Sequence, residues 1–237
     1  MRLRVFPVWC APYHSPVPRR GNRPSRYANS SLSHVNAAAR RDESVFEDAV
    51  TRLKSATFRR ELQVREIPAP ERIAPRSYAL AAGVIRGSTH PTDTSDSPYG
   101  AGRLVLMHDP GSADEWGADF RIVCFAQAPL EMEIGIDPFI ADVTWSWLMD
   151  ALDARGARHT YASGTATKTL STGFGTLESQ GDAAQIEVRA SWTPLGDDFA
   201  AHAEAWSELL CLLAGLPHEE GVASLDSQRA RRAGSGA

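Results

Sequence analysis

His108 and Asp109 carry the side chains best suited, by type and spacing, to acid–base work. An imidazole titrates close to neutrality, and a neighbouring carboxylate can orient it or hold its charge. Trp116 follows after a Pro-Gly turn, and the three residues define a candidate small-molecule pocket. Adjacent residues of a strand point to opposite faces, however, and Asp-Pro-Gly is an ordinary turn sequence. A plain structural turn therefore competes with catalysis at this point.

The remaining motifs are incomplete. Gly164-Thr-Ala-Thr-Lys168-Thr169 lacks the glycine that a phosphate-cradling loop places before its lysine, and Gly173-Phe174-Gly175 lacks the third glycine of a dinucleotide fingerprint. Neither GxSxG nor HExxH occurs. Cys10, Cys124 and Cys211 are odd in number and far apart, without the spacing of a zinc site or a disulfide framework. Cys124 and Cys211 fall in apolar runs and read as buried small hydrophobes. His202 lies in the apolar stripe of a helix and reads as a hydrogen-bonded core histidine. The sequence assigns no catalytic residue, no metal and no cofactor.

The helix predicted over 137–156 raises a different possibility. Val143, Trp147, Ile140, Ala151, Leu148, Leu152, Trp145 and Met149 sweep an arc of roughly 240°, where a surface helix needs a stripe little wider than about 100°. Asp142, Ser146, Asp150 and Asp153 share the rest. Something must cover the surplus. Trp145 and Met149, one turn apart at the edge of that arc, are the candidate interface residues, since Trp and Met are enriched where proteins meet. The same pair could equally pack inside the chain.

Around these residues the periodicity predicts a helix over 42–56, strands over 78–86, 103–108 and 120–126, the broad helix, strands over 159–169 and 185–193, and a helix over 197–214. Residues 62–68 read as a short extended piece ended by Pro68, Pro70 and Pro75. Asp137, Pro138 and Gly156 suit the two ends of the broad helix, and Gly215 with Pro217 stops the last one. Two strands joined without room for a crossover helix pair antiparallel. The expected class is α+β, a mainly antiparallel sheet with helices packed on one face, in the order α-βββ-α-ββ-α. The broad helix is expected to lie on the sheet, with the last helix shielding part of its surface.

Charge divides the chain unevenly. Residues 1–41 hold eight arginines, several prolines and no acid, whereas residues 42–218 hold 14 Lys+Arg against 26 Asp+Glu, a formal −12. The expected organisation is a disordered basic leader over 1–41, one domain over 42–217 and a disordered tail over 218–237. Pro7 and Pro12 interrupt the apolar patch near the start, which argues against a signal peptide, and no run is long enough to span a membrane. A cytoplasmic protein is expected. Nucleic-acid affinity comes mainly from neutralised phosphates, so the acidic domain is not expected to bind it, leaving at most weak RNA contact through the leader.

Glu66-Ile-Pro-Ala-Pro70, Gly102-Arg-Leu-Val-Leu-Met-His-Asp-Pro110, Trp145-Ser-Trp147, Ala190-Ser-Trp-Thr-Pro194 and the run from His202 to Pro217 together resemble an actinobacterial family known as domain of unknown function 3000. The likeness covers about residues 45–217. It implies no catalytic residue, because no role is attached to those segments. In architecture alone, the element order is similar to that of the small acidic chaperones of type III secretion, whose middle helix helps form a dimer. The expected function is a non-catalytic, chaperone-like protein-interaction module, homodimeric, with a protein or itself as partner. Alternatives are a small-molecule enzyme or binder near 108–116 and an accessory factor to RNA processing.

Overall fold

The computed structural model describes residues 28–86 and 97–217. The chain divides between Asp42 and Glu43 into two compact units, and the sheet and its helices belong to the second. The boundary falls inside the first helix, α1 (Ala28–Lys54). Residues 28–41, within the span expected as a leader, belong to α1. Ala37, Ala38 and Ala39 supply strong helix propensity there. The rest of that leader and the tail at 218–237 lie outside the described residues.

Six strands form one antiparallel sheet: β1 (Leu62–Ile67), β2 (Arg76–Val84), β3 (Ala101–His108), β4 (Phe120–Leu130), β5 (His159–Thr172) and β6 (Asp182–Pro194), in the spatial order β1-β2-β3-β4-β6-β5. Two single-turn helices, α2 (Ala113–Trp116) and α3 (Met132–Gly135), flank β4, while α4 (Ile140–Ala154) precedes β5 and α5 (Phe199–Leu213) follows β6. The α+β class is as expected. The order gains a strand before α4, because the extended piece at 62–67 pairs fully with β2 as an edge strand.

Side-chain alternation separates the two faces. Leu80, Leu104, Leu106, Ile122, Cys124, Ile186, Val188 and Trp192 point to the helices and join Ala49 and Leu53 of α1, Leu148 and Leu152 of α4 and Trp206, Leu209 and Leu210 of α5 in the main core. On the other face Ala79, Val105 and Met107 form a small cluster covered by Ile67, Ala69, Ile73, Ala74 and Trp116. Helices therefore dominate one face, and a loop with one short helix covers part of the other.

The positions of the two long helices differ from expectation. The last helix, α5, is the one buried almost all round, packing on β4, with α4 beside it. Arg155 near the end of α4 ties the two, its Nη1 3.1 Å from Glu204 Oε2 and its Nη2 3.7 Å from Glu208 Oε2. Small residues on α5 (Ala201, Ala203, Ala205, Ser207) allow that close approach. The C-terminal signals work as the sequence suggests, Gly156 and Gly215 taking positive φ just past α4 and α5. At the other end α4 begins at Ile140, after the expected cap: Asp137 Oδ1 accepts from Phe139 N in the turn ahead of it. At α5, Asp198 accepts from Ala201 N.

Candidate functional site

The expected pocket does not assemble. His108 is fully buried on the helix-bearing face, its ring 4.5 Å from that of Phe120 and 6.1 Å from that of Phe46. Trp116 packs against Val105 and Met107 on the opposite face. Period-two alternation along β3 keeps them on opposite sides of the sheet. Both carboxylate oxygens of Asp109 serve the turn, Oδ1 accepting from Gly111 N at 3.0 Å and Oδ2 from the Ser112 hydroxyl at 2.8 Å. His108, Asp109 and Trp116 are thus a core aromatic, a turn and a cover. The structural reading of Asp-Pro-Gly prevails.

Among the described residues, two of the surface depressions lie elsewhere and contain none of those residues. One, of about 400 Å³, is lined by Glu66–Ala69 and Ser77–Ala79. Beside it Tyr78 Oη donates to Glu66 Oε2 at 3.1 Å, and Lys54 Nζ sits 3.0 Å from the same oxygen. The lysine's hydrogen bond holds the Glu66 carboxyl below its ordinary value, while burial beside that carboxylate raises the Tyr78 phenol. A charged carboxylate and a neutral phenol are resting states with no proton poised to move near neutrality. The other depression, about 490 Å³, is lined by residues including Arg86, Tyr99, Leu130, Ile134 and Leu213. Arg86 Nη2 donates to the Ala214 carbonyl there, capping the end of α5. Both sets of polar groups are accounted for structurally.

Trp145 and Met149, the candidate interface pair, both lie on α4. Each is half-buried and packed against the main core. The Trp145 ring lies on the backbone of β5 at Gly164, where a Cβ would come 2.7 Å from the ring and 2.6 Å from Arg189 O. Glycine at 164 is what lets the indole approach the strand so closely. The excess apolar arc of α4 is therefore covered mainly by β5 and α5 of the same chain. Replacing Trp145 by glutamate is expected to destabilise the fold, lowering the midpoint of urea unfolding, instead of yielding a stable monomer.

The apolar surface left uncovered lies toward the start of α4. Phe139 is 66 % exposed, Ile136 60 %, and Val143 39 %. Leu170, on the far half of β5, is 52 % exposed and close to Gly135, where an added Cβ would meet its Cδ2 at 3.2 Å. Phe174 and Leu177, in the β5–β6 connection, are exposed as well. The sequence reading places Val143 in the apolar arc but leaves out Ile136 and Phe139 at the helix start, and Leu170, Phe174 and Leu177 beyond it. The signal was the apolar series Ile134, Ile136 and Phe139 around Asp137 and Pro138.

Beside that strip runs the longest free edge of the sheet. The 14 residues of β5 pair with β6 on one side only. Between Gly164 and Thr172 the single charge is Lys168, whose Nζ donates to Asp137 O at 2.8 Å. Native edges are usually blunted by charge, proline or shortness. A bulge between Thr160 and Ser163 does so at one end of β5, and the remainder is long and nearly uncharged.

No helix among the described residues is long and apolar enough to cross a membrane. No curated protein and no solved structure matches the chain. A family model does match, over residues 42–223, and spans the sheet together with α4 and α5. The chain belongs to the family described as protein of unknown function DUF3000.

Proposed function

We propose that this chain acts by binding other proteins and performs no chemistry of its own, and that its working form is a homodimer joined along β5. The observation that carries the reading is the meeting of two unsatisfied surfaces at one place. The open edge of β5 runs beside the exposed strip of Ile136, Phe139, Val143 and Leu170. An antiparallel strand edge is complementary to itself about a twofold axis, so a second copy satisfies its hydrogen bonds without any further design. Lys168, the single charge between Gly164 and Thr172, is held on its own chain by the Asp137 carbonyl. Because α4 packs against β5, the same axis draws the two copies of Val143 and Phe139 together. Partners of other kinds would then meet the outer surfaces of the dimer.

Light scattering coupled to gel filtration tests the assignment on the full chain. The wild type is expected to run as a dimer. The double substitution Phe139→Glu and Leu170→Glu is expected to run as a folded monomer, because both side chains are largely solvated and the charges cost little within one chain. A wild-type monomer at high micromolar concentration, or a double variant that remains dimeric, would overturn the β5 interface.

A further inference from the structure

Most arginines of this domain whose guanidinium contacts are seen meet a carboxylate: Arg52 meets Asp197, Arg59 meets Glu61, Arg155 meets Glu204, and Arg189 meets Glu187. Arg121 differs. It rises from β4 on the face away from the long helices, and its partners are hydroxyl groups. Nη1 donates to Thr193 Oγ1 at 3.0 Å, and Nη2 donates to Ser191 Oγ at 2.7 Å and reaches Ser163 Oγ at 3.5 Å. No carboxylate pairs with it among the described residues. Burial acts to lower its proton affinity, opposed by the more distant Glu115. The guanidinium is half-buried and held by neutral hydroxyls with no carboxylate paired to it, so it offers a fixed, charged donor fork to an incoming anion.

The hydroxyl protons point to the same missing group. Thr193 spends its proton on the Trp116 carbonyl at 2.5 Å. The Ser163 and Ser191 oxygens lie 3.5 Å apart, both facing Arg121, and together they hold two hydroxyl hydrogens. At most one of these can be used between them. The cluster therefore presents a spare hydroxyl donor beside the guanidinium, at a position open to solvent.

The wall beside it is held under strain. Tyr161 lies in the bulge between Thr160 and Ser163 with φ of 49°, a conformation disfavoured for a tyrosine. Its ring rests on Gly117, where an added Cβ would fall 2.4 Å away. Strain of this kind and bulges of this kind gather at binding sites, where they re-aim side chains. On the other side Val123 continues into the apolar cluster with Met107.

We propose that Arg121, Ser163 and Ser191 form an oxyanion site that binds the carboxylate or phosphate of a small ligand, with the ligand's apolar part lying along the half-buried Val123. The guanidinium supplies charge and in-plane donors, and the serines supply the lateral donors. This site is on a different face from the β5 interface strip and stands independently of it.

The test is a titration of the full chain with inorganic phosphate and, separately, with hexanoate, at constant ionic strength, following the arginine Nε–H signals by NMR. A saturable shift of the Arg121 signal at millimolar or lower ligand is expected, with Arg60, whose side chain is 94 % exposed, unmoved. Saturation by phosphate alone identifies a phosphate-bearing ligand, and saturation by hexanoate alone a carboxylate-bearing one. Ser191→Ala, which leaves the strand and the guanidinium in place, is expected to weaken binding by about tenfold, the scale of one hydrogen bond to a charged group. A response to neither anion, a non-saturating shift shared with Arg60, or undiminished binding in Ser191→Ala would overturn the site.

Discussion

Truncation of Trp206 to alanine is expected to remove about 3–5 kcal/mol of stability, the range for deleting a large aromatic from a packed core. Trp206 is completely buried on α5, and its Nε1 donates to the Phe125 carbonyl at 3.3 Å. Its indole lies directly on β3 at Gly102, where a Cβ would stand 3.0 Å from ring atom Cζ2 and 2.9 Å from Phe125 O. Helix and sheet are thus fitted through one large side chain and one missing side chain. Urea unfolding of Trp206→Ala, Gly102→Ala and the double variant checks this fit. Each single change should destabilise, and the double should lose less than the sum, because part of the Gly102→Ala penalty comes from the indole that is no longer there. A coupling energy of about 0.5–3 kcal/mol is the range for residues in contact. Strict additivity would mean that the indole does not rest on Gly102.

The strongly patterned parts of this fold were legible in its sequence. Ile186, Val188, Ala190 and Trp192 alternate with polar neighbours and are all buried. The pairing of β3 with β4 follows from the lack of room for a crossover helix, and Gly156 and Gly215 mark helix ends by their positive φ. The strand Leu62–Ile67 was less legible because an edge strand with charges at Arg65 and Glu66 has little alternation to display. The width of the apolar arc on α4 was readable, but its cover was not. Whether Trp145 meets a second molecule or its own chain depends on Gly164, which is adjacent only after β5 folds back.

Net charge hid the candidate binding face for a related reason. A formal −12 over residues 42–218 says nothing about which side carries which sign. In the sheet, register puts Arg65, Arg103, Arg121 and Arg189 on the face away from the helices, with Glu187 as the only acidic residue among the paired positions there. No linear window contains that grouping, because it is assembled from four strands. His108 and Asp109 show the converse: neighbours in sequence with a promising pair of side chains, parted by the pleat of a single strand.

Acidification is expected to weaken the fold through His202, and the sign follows from which state binds the proton. His202 is buried on α5, and Trp192 Nε1 donates to its Nδ1 at 3.1 Å, so the folded protein requires that nitrogen to be unprotonated. Burial is the main cause of a folded-state pKa lowered to about 4, with His159 lowering it further and Asp198 opposing. In the unfolded chain the imidazole titrates near its ordinary 6.5. Above that value both states are neutral and the full stability is present. As pH falls from 6.5 toward 4 only the unfolded chain takes up the proton, and stability drains away until both states are charged. At ~1.4 kcal/mol per pH unit the whole loss comes to about 3 kcal/mol. Carboxylates held below their ordinary range, such as Glu61 beside Arg59, also lose stability in acid, so the histidine must be isolated. His202→Asn does so, since its amide oxygen can replace Nδ1 as the acceptor and does not titrate. Urea unfolding between pH 7.5 and pH 4 should then show the wild type falling about 3 kcal/mol more steeply than the variant. Parallel curves would mean that His202 is free to charge in the folded state, and that the Trp192 hydrogen bond does not hold it neutral.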